Sequence, residues 1–267
     1  MKTVYYTDPL RDDFAGNHIK AKRITESFKY IHDNIVWRMA AFFLYHFIAY
    51  PLVFLYCKIL YSMSIKGKYN MSKIKKGGYF IYGNHTHVAD TFIATILANP
   101  GRKNYIVASP EAVSIWGLET IVMMLGAIPI PATVKGKRKF LETVKKRING
   151  GACVTIYPEA HIWPYYTGIR PFTDKAFYYP VRMNAPVIAF CNTYSKRTIL
   201  RIVKIPRMKV FVSEPMYPDP ELSPKEAQAE LRDRVYSFMK QTSDQHSKYE
   251  YIRYVRQHTY AGNNVNN

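Results

Sequence analysis

The chain has 267 residues, 48% of them hydrophobic and 15% aromatic, which is enough to bury a full core and too apolar for a disordered polymer. Its 38 Lys and Arg against 19 Asp and Glu leave a net charge of +19, so the expected partners are polyanionic: an anionic membrane face, nucleic acid, or a phosphorylated or acidic substrate. Three cysteines (Cys57, Cys153, Cys191), odd in number and widely spaced, exclude a disulfide framework and a cysteine-built metal site, and fit a reducing compartment.

Residues 1–34 are polar and charged and lack the apolar stretch of a signal peptide. From Met39 to Cys57 the chain carries no formal charge and is long enough to span a bilayer, which takes about 20 residues. Pro51 divides this run and is expected to break the helix there. Basic residues flank both sides, among them Lys29 and Arg38 before and Lys58, Lys66 and Lys68 after, so both ends prefer the cytoplasm. A two-helix hairpin dipping into one leaflet satisfies both facts. A long core helix of a soluble protein and a single membrane span are the alternatives.

Ser64 to Gly78 reads as a basic link. Short apolar runs then predict strands at Tyr79–Tyr82, Asn104–Ala108, Ala127–Ile130, Ala152–Tyr157, Pro186–Cys191, Ile199–Lys204 and Met208–Val212. Cys153 and Cys191 fall in these strands as small buried residues. Helical patterns lie between them: Asp90–Ala98, Pro110–Leu125 with Gly126 as a stop, the basic Gly136–Asn149, Phe172–Asn184, and Ser223 to about Asp244 behind a capping box. The final Gly262–Asn267 reads as a frayed tail. Strands alternating with helices predict an α/β fold whose largely parallel central sheet is flanked by helices, with ligands at the carboxyl ends of the strands.

His85, Pro131 and Glu159 fall just past such strand ends. Tyr82-Gly-Asn-His-Thr-His-Val-Ala-Asp90 sets His85 and Asp90 in an H-x4-D spacing. An imidazole can take a proton near neutral pH, and a carboxylate on its second nitrogen stabilises the charged form, which is the core of a general-base site. Tyr157-Pro-Glu159 adds a second carboxylate after another apolar strand.

Asn84-His85-x4-Asp90, Gly126-Ala-Ile-Pro-Ile130, Tyr157-Pro158-Glu159, Pro171-Phe172 leading to Ala176-Phe177, and Ala185-Pro186-Val-Ile188 come in the order and spacing of the glycerolipid acyltransferases. The chain resembles the lysophosphatidate (1-acylglycerol-3-phosphate O-acyltransferase) type over about Lys75 to Pro215. That resemblance implies transfer of a fatty acyl group from a thioester, acyl-CoA or acyl carrier protein, to a lipid hydroxyl, with no further cofactor, no metal and no covalent acyl-enzyme. His85 would be the base and Asp90 its partner. Asn84 and Glu159 would help to place the acceptor, and backbone amides near a helix start would hold the oxyanion. It implies residues 1–70 as a basic region with a membrane anchor, 71–245 as the acyltransferase domain and 246–267 as a polar tail, on the cytoplasmic face of the cell membrane, with lipid as partner.

The family commonly reads Pro-Glu-Gly-Thr-Arg where this chain has Pro158-Glu159-Ala160-His161-Ile162, and Ala132 stands where an arginine is usual. Thr173 and Lys175 likewise replace the usual Lys and Gly. Lys135, Lys137, Arg138, Arg170 and Lys175 are the candidate replacements for gripping an acceptor phosphate, with His161 a further acceptor contact; equally, the acceptor lacks that phosphate. Ile115, Trp116, Met123 and Met124 read as core residues. Two rival readings remain: a metal-dependent hydrolase built on His85, His87 and Asp90, and a non-enzymatic basic protein. Nucleic acid is not expected, because no helix-turn-helix, zinc finger or RNA-binding aromatic signature is visible.

Overall fold

The computed structural model describes residues 1–16, 19–87, 89–98, 101–198 and 202–257. Its strands are β1 (Lys2–Tyr6), β2 (Ser64–Lys66), β3 (Tyr79–Gly83), β4 (Asn104–Ala108), β5 (Ala127–Pro129), β6 (Cys153–Ile156), β7 (Val187–Ser195), β8 (Arg207–Val212) and β9 (Ile252–Arg256). Its helices are α1 (Ile35–Phe43), α2 (Tyr50–Leu60), α3 (Asp90–Leu97), α4 (Glu119–Met124), α5 (Val134–Asn149), α6 (Tyr178–Met183) and α7 (Pro224–His246).

A seven-stranded sheet runs β2-β8-β7-β3-β6-β4-β5. From β7 to β5 all neighbours are parallel, while β8 pairs antiparallel with β7 and carries β2 beside it. The predicted α/β fold with a largely parallel sheet is therefore the observed one. β3 and β6 are buried along their whole length, as strands covered by helices on both faces must be. One core cluster packs Phe80, Tyr82 and Val154 against α5 and α7; the other packs Tyr79, Ile81 and Ile188 against α3 and the end of α2. Cys57, Cys153 and Cys191 are all buried.

Several elements differ from expectation. The expected helix over Pro110–Leu125 is a 3-10 turn at Pro110–Val113 followed by the short α4, because Gly117 sits at φ +76°. The expected Phe172–Asn184 helix likewise opens as a 3-10 turn at Asp174–Phe177 before α6. The basic link after the apolar run contributes edge strand β2. Of the expected strand Ile199–Lys204, residues 199–201 lie outside the described residues, and 202–204 are not extended. Residues 262–267 lie outside them too. Ile252–Arg256, inside the supposed tail, is a strand that pairs in parallel with β1 as a separate two-stranded sheet.

The largest correction concerns the apolar run. Ile35–Leu60 is one continuous 26-residue helix, not a two-helix hairpin. A π-helical segment, Leu44–Ala49, joins α1 to α2, and Tyr50 N–H reaches back to Tyr45 O. Pro51 then enters the first turn of α2, where the wider π turn relieves the usual demand for its amide. The helix leans on the domain through Ala41, Tyr45, Cys57 and Tyr61, all buried, with Ala49 and Val53 half-buried between them. Such a four-residue repeat drifts around a straight α-helix by about 40° per step, and the π segment takes out part of that drift.

Both ends of this helix are tied down. α1 packs on α4 and α2 on α3. Tyr45 Oη accepts the Asn104 amide at 3.0 Å. The buried Arg197, just past β7, donates to Leu60 O, to Ser62 Oγ at 2.8 Å and to Ile205 O at 3.2 Å, closing the carbonyl end of the helix with a cation. The outward face is apolar: Val36, Met39, Phe42, Phe47, Leu52 and Leu55 are all exposed.

Candidate active site

Three adjacent strands, β7, β3 and β6, deliver the polar groups of the site at their carboxyl ends. Past β3 the chain turns through Asn84-His85-Thr86-His87 into α3, whose first residue is Asp90. His85 Nδ1 lies 3.1 Å from Asp90 Oδ2. A carboxylate only accepts, so the geometry requires Nδ1–H to donate and leaves Nε2 as the basic nitrogen. Asp90 is fully buried, while the His85 side chain retains 12% exposure. The base is thus anchored inside and open at its edge.

Asp90 does more than orient one ring. Its Oδ2 also accepts the amides of Thr86 at 2.6 Å and His87 at 2.8 Å, folding the loop around the carboxylate. Its Oδ1 accepts from Asn192 Nδ2 at 2.9 Å. Asn192 in turn exchanges two hydrogen bonds with Asn84: Asn192 N donates to Asn84 Oδ1 at 2.8 Å, and Asn84 Nδ2 to Asn192 O at 3.1 Å. Asn84 is fully buried, so here it braces β3 against β7; an acceptor-facing place does not suit it. Asn192 is a site residue that the motifs do not mark. Its signal was an amide continuing a wholly apolar strand, where a buried polar group must have a partner.

The imidazole of His85 stacks on Tyr157 with centroids 4.2 Å apart and planes 18° apart. The Tyr157 ring crosses the Phe190 ring edge-on at 6.2 Å. Phe190 needs the bare backbone of Gly83, because a Cβ there would stand 2.1 Å from its ring. A glycine immediately before Asn84-His85 therefore sets the depth of the aromatic wall under the base.

Glu159 is brought to the same loop, from below. Its Oε2 accepts His85 N–H at 3.2 Å, and its Oε1 accepts Arg170 N–H at 3.0 Å. Arg170 Nη2 donates to Oε2 at 3.2 Å, with both side chains 1% exposed. Burial pushes the Glu159 carboxyl above its ordinary value, and Arg170 with the two backbone amides draws it back down. Arg170 also donates to His161 O and to Pro9 O at 3.4 Å. The expectation that Glu159 and Arg170 face an acceptor is thus corrected: they saturate each other inside the protein, as buried opposite charges must.

The N-terminal segment completes this brace. Trp163 Nε1 donates to Asp12 O at 2.7 Å, Phe14 N–H to Ile162 O at 3.0 Å, and Trp163 stacks on Tyr254 of β9 at 4.9 Å. Ala160 adopts φ +64°, the left-handed conformation that suits the glycine it replaces. His161 is half-exposed, with Nδ1 3.7 Å from Asp13 Oδ2.

His87 does not join His85 and Asp90. Its Nδ1 accepts Ala89 N–H at 2.9 Å, which makes Nε2 the protonated nitrogen facing Tyr61 Oη at 2.9 Å. Burial holds this ring below the usual histidine range. With both its nitrogens occupied, the convergent donor set of a metal hydrolase is missing, and no cluster of three such ligands occurs among the described residues. Tyr61 is the residue that caps α2, so the apolar helix touches the site loop directly.

The remaining basic candidates lie elsewhere. Lys135, Lys137 and Arg138 are exposed on the first turns of α5, where Arg138 pairs with Glu142 at 3.1 Å; Lys175 is exposed in the turn before α6. None of these cations is hydrogen-bonded into the His85 loop.

Residues 63–192 match the Acyltransferase family. No curated protein matches the chain by sequence. Among solved structures, the chain is similar to the crystal structure of the 1-acyl-sn-glycerophosphate (LPA) acyltransferase PlsC from Thermotoga maritima, with a TM-score of 0.55 and 15% identity over 79% of this chain and 84% of that one. At that identity the likeness speaks for the fold.

Proposed function

We propose that the chain transfers a fatty acyl group from acyl-CoA or acyl carrier protein to a lysophospholipid hydroxyl, with 1-acylglycerol-3-phosphate as a fitting acceptor, a reading supported by the match of residues 63–192 to the Acyltransferase family. The observation that carries this reading is the His85–Asp90 pair at 3.1 Å at the carboxyl end of β3.

The acceptor hydroxyl binds against Nε2 of His85. As its oxygen attacks the thioester carbonyl, a C–O bond forms and His85 takes the proton. The imidazolium is stabilised by Asp90, itself held by Thr86, His87 and Asn192. Collapse of the tetrahedral intermediate breaks the C–S bond, and the proton passes from His85 to the departing thiolate. No group besides the two substrates is consumed. Glu159 and Arg170 act by fixing the backbone of His85, and phosphate recognition falls to cations outside this buried pair.

Membrane association suits the same reading. The apolar helix is fastened at both ends to the catalytic domain, so it lies along the bilayer surface as a monotopic anchor and does not cross it. The basic surplus fits the anionic cytoplasmic face of the cell membrane.

The test is an acceptor screen with isotope-labelled acyl donor, read by mass spectrometry, on wild type and His85→Ala. Labelled diacyl product from lysophosphatidate or a phosphate-free lysolipid, lost in His85→Ala at unchanged thermal midpoint, is expected. Near-normal turnover by His85→Ala would falsify the base assignment.

A further inference from the structure

Trp116 is 97% exposed, the opposite of the core place its sequence suggests. It sits in the turn Ile115-Trp116-Gly117-Leu118 between the 3-10 helix after β4 and α4, with Ile115 and Leu118 also exposed. Val134, opening α5 after β5, is 83% exposed. A fully exposed indole flanked by aliphatic side chains is costly in water and suits an interface that is apolar on one side and wet on the other.

Three observations say what covers it. The turn leads straight into α4, which packs on α1 and itself exposes Ile121, so the exposed aliphatic side chains of the turn neighbour the element that bears the start of the apolar helix. β4 and β5 run parallel to β3 and β6, which puts the Trp116 turn and Val134 at the same end of the sheet as His85 and Glu159. Lys135, Lys137 and Arg138 follow Val134 directly, all exposed, giving the apolar rim a cationic border. Aromatic residues beside lysine and arginine are the chemistry of the headgroup region of a lipid bilayer.

We propose that the Trp116 turn is a second membrane contact, inserted into the headgroup layer of an anionic bilayer so that the carboxyl edge of the sheet, and with it His85, faces the lipid surface. The proposal rests on the membrane association argued above but not on the chemistry of acyl transfer. An acceptor lipid then reaches the base laterally, with its own headgroup still among the others.

The three tryptophans make the test direct. Trp163 is 1% exposed and out of reach of a lipid-borne quencher, and Trp37→Phe removes the one near the start of the helix. The full chain carrying Trp37→Phe is floated with vesicles of phosphatidylglycerol and brominated phosphatidylcholine. Emission from bound protein is expected to lose roughly half its intensity, since an interfacial indole lies within reach of the acyl chains. Adding Trp116→Phe should abolish that loss, with far-ultraviolet circular dichroism unchanged. Bound protein whose emission stays unquenched overturns the proposal. Wild-type protein that does not float at all overturns the membrane reading beneath it as well.

Discussion

Replacing Asp90 by Asn isolates what the carboxylate does, because the two side chains share a shape and differ in charge and donors. Asp90 Oδ2 faces three donors, His85 Nδ1 and the amides of Thr86 and His87, while Oδ1 faces Asn192 Nδ2. An amide has one acceptor oxygen, so in either orientation its NH2 meets at least one donor in a fully buried place. That conflict costs about 1–3 kcal/mol of stability. The catalytic loss is larger. With an effective dielectric of about 20, unit charges 3.1 Å apart attract by about 5 kcal/mol, which exists only once His85 carries the proton. At about 1.4 kcal/mol per decade this predicts a fall in kcat of about 10³–10⁴-fold, with the acceptor KM little changed. Thiol release from an acyl thioester, followed spectrophotometrically at saturating acceptor, measures the rate; a urea titration measures the fold. A rate within threefold of wild type refutes the idea that Asp90 stabilises an imidazolium.

Other substitutions probe the supports. Arg170→Met leaves the Glu159 carboxylate buried without its cation and should destabilise by about 3–5 kcal/mol in urea. In that variant the Glu159 pKa rises further above 4.5, so its stability is fullest below pH 4.5 and drains away as pH rises; a variant–wild-type gap that does not widen with pH would count against the pairing. Gly83→Ala forces the Phe190 ring to move and should cost about 1–3 kcal/mol with a parallel loss of activity, checked by melting and thiol release together. Ala160→Gly should raise stability by about 0.5–1 kcal/mol by easing a left-handed alanine, seen as a higher melting temperature at unchanged rate. Tyr61→Phe deletes the contact to His87 Nε2 and should cost about 1 kcal/mol; a kcat that does not move would separate the helix end from the site loop.

The central strands were readable from sequence because they are continuous apolar runs between turn signals: Asn104–Ala108 was placed at its true bounds, and Tyr79–Tyr82 within one residue. The His85–Asp90 pair is readable because both residues fall in the seven-residue step from a strand end to a helix start. What failed was non-local. Glu159 and Arg170 are eleven residues apart across an irregular loop, and no spacing rule tells a buried mutual pair from two substrate contacts. Asn192 depends on strand neighbours that only the fold supplies. Pro51 reads as a helix breaker because its intrinsic penalty is a local property, whereas the π segment that relieves it depends on the packed helix. β1 and β9 are short, mostly exposed and more than two hundred residues apart, so neither reads as a strand until the other is beside it.

The fastening of Leu60 and Ser62 by Arg197 bears on how the enzyme can be handled. Trimming the greasy leader, the usual route to a well-behaved fragment, would here strip Cys57 and Tyr61 out of a shared interior and leave Arg197 with fewer carbonyl and hydroxyl partners. It would also remove Pro9 and Asp12, which clasp Arg170 and Trp163. Solubility is better sought by swapping outward side chains such as Phe47 and Leu55 for polar ones, leaving the backbone whole.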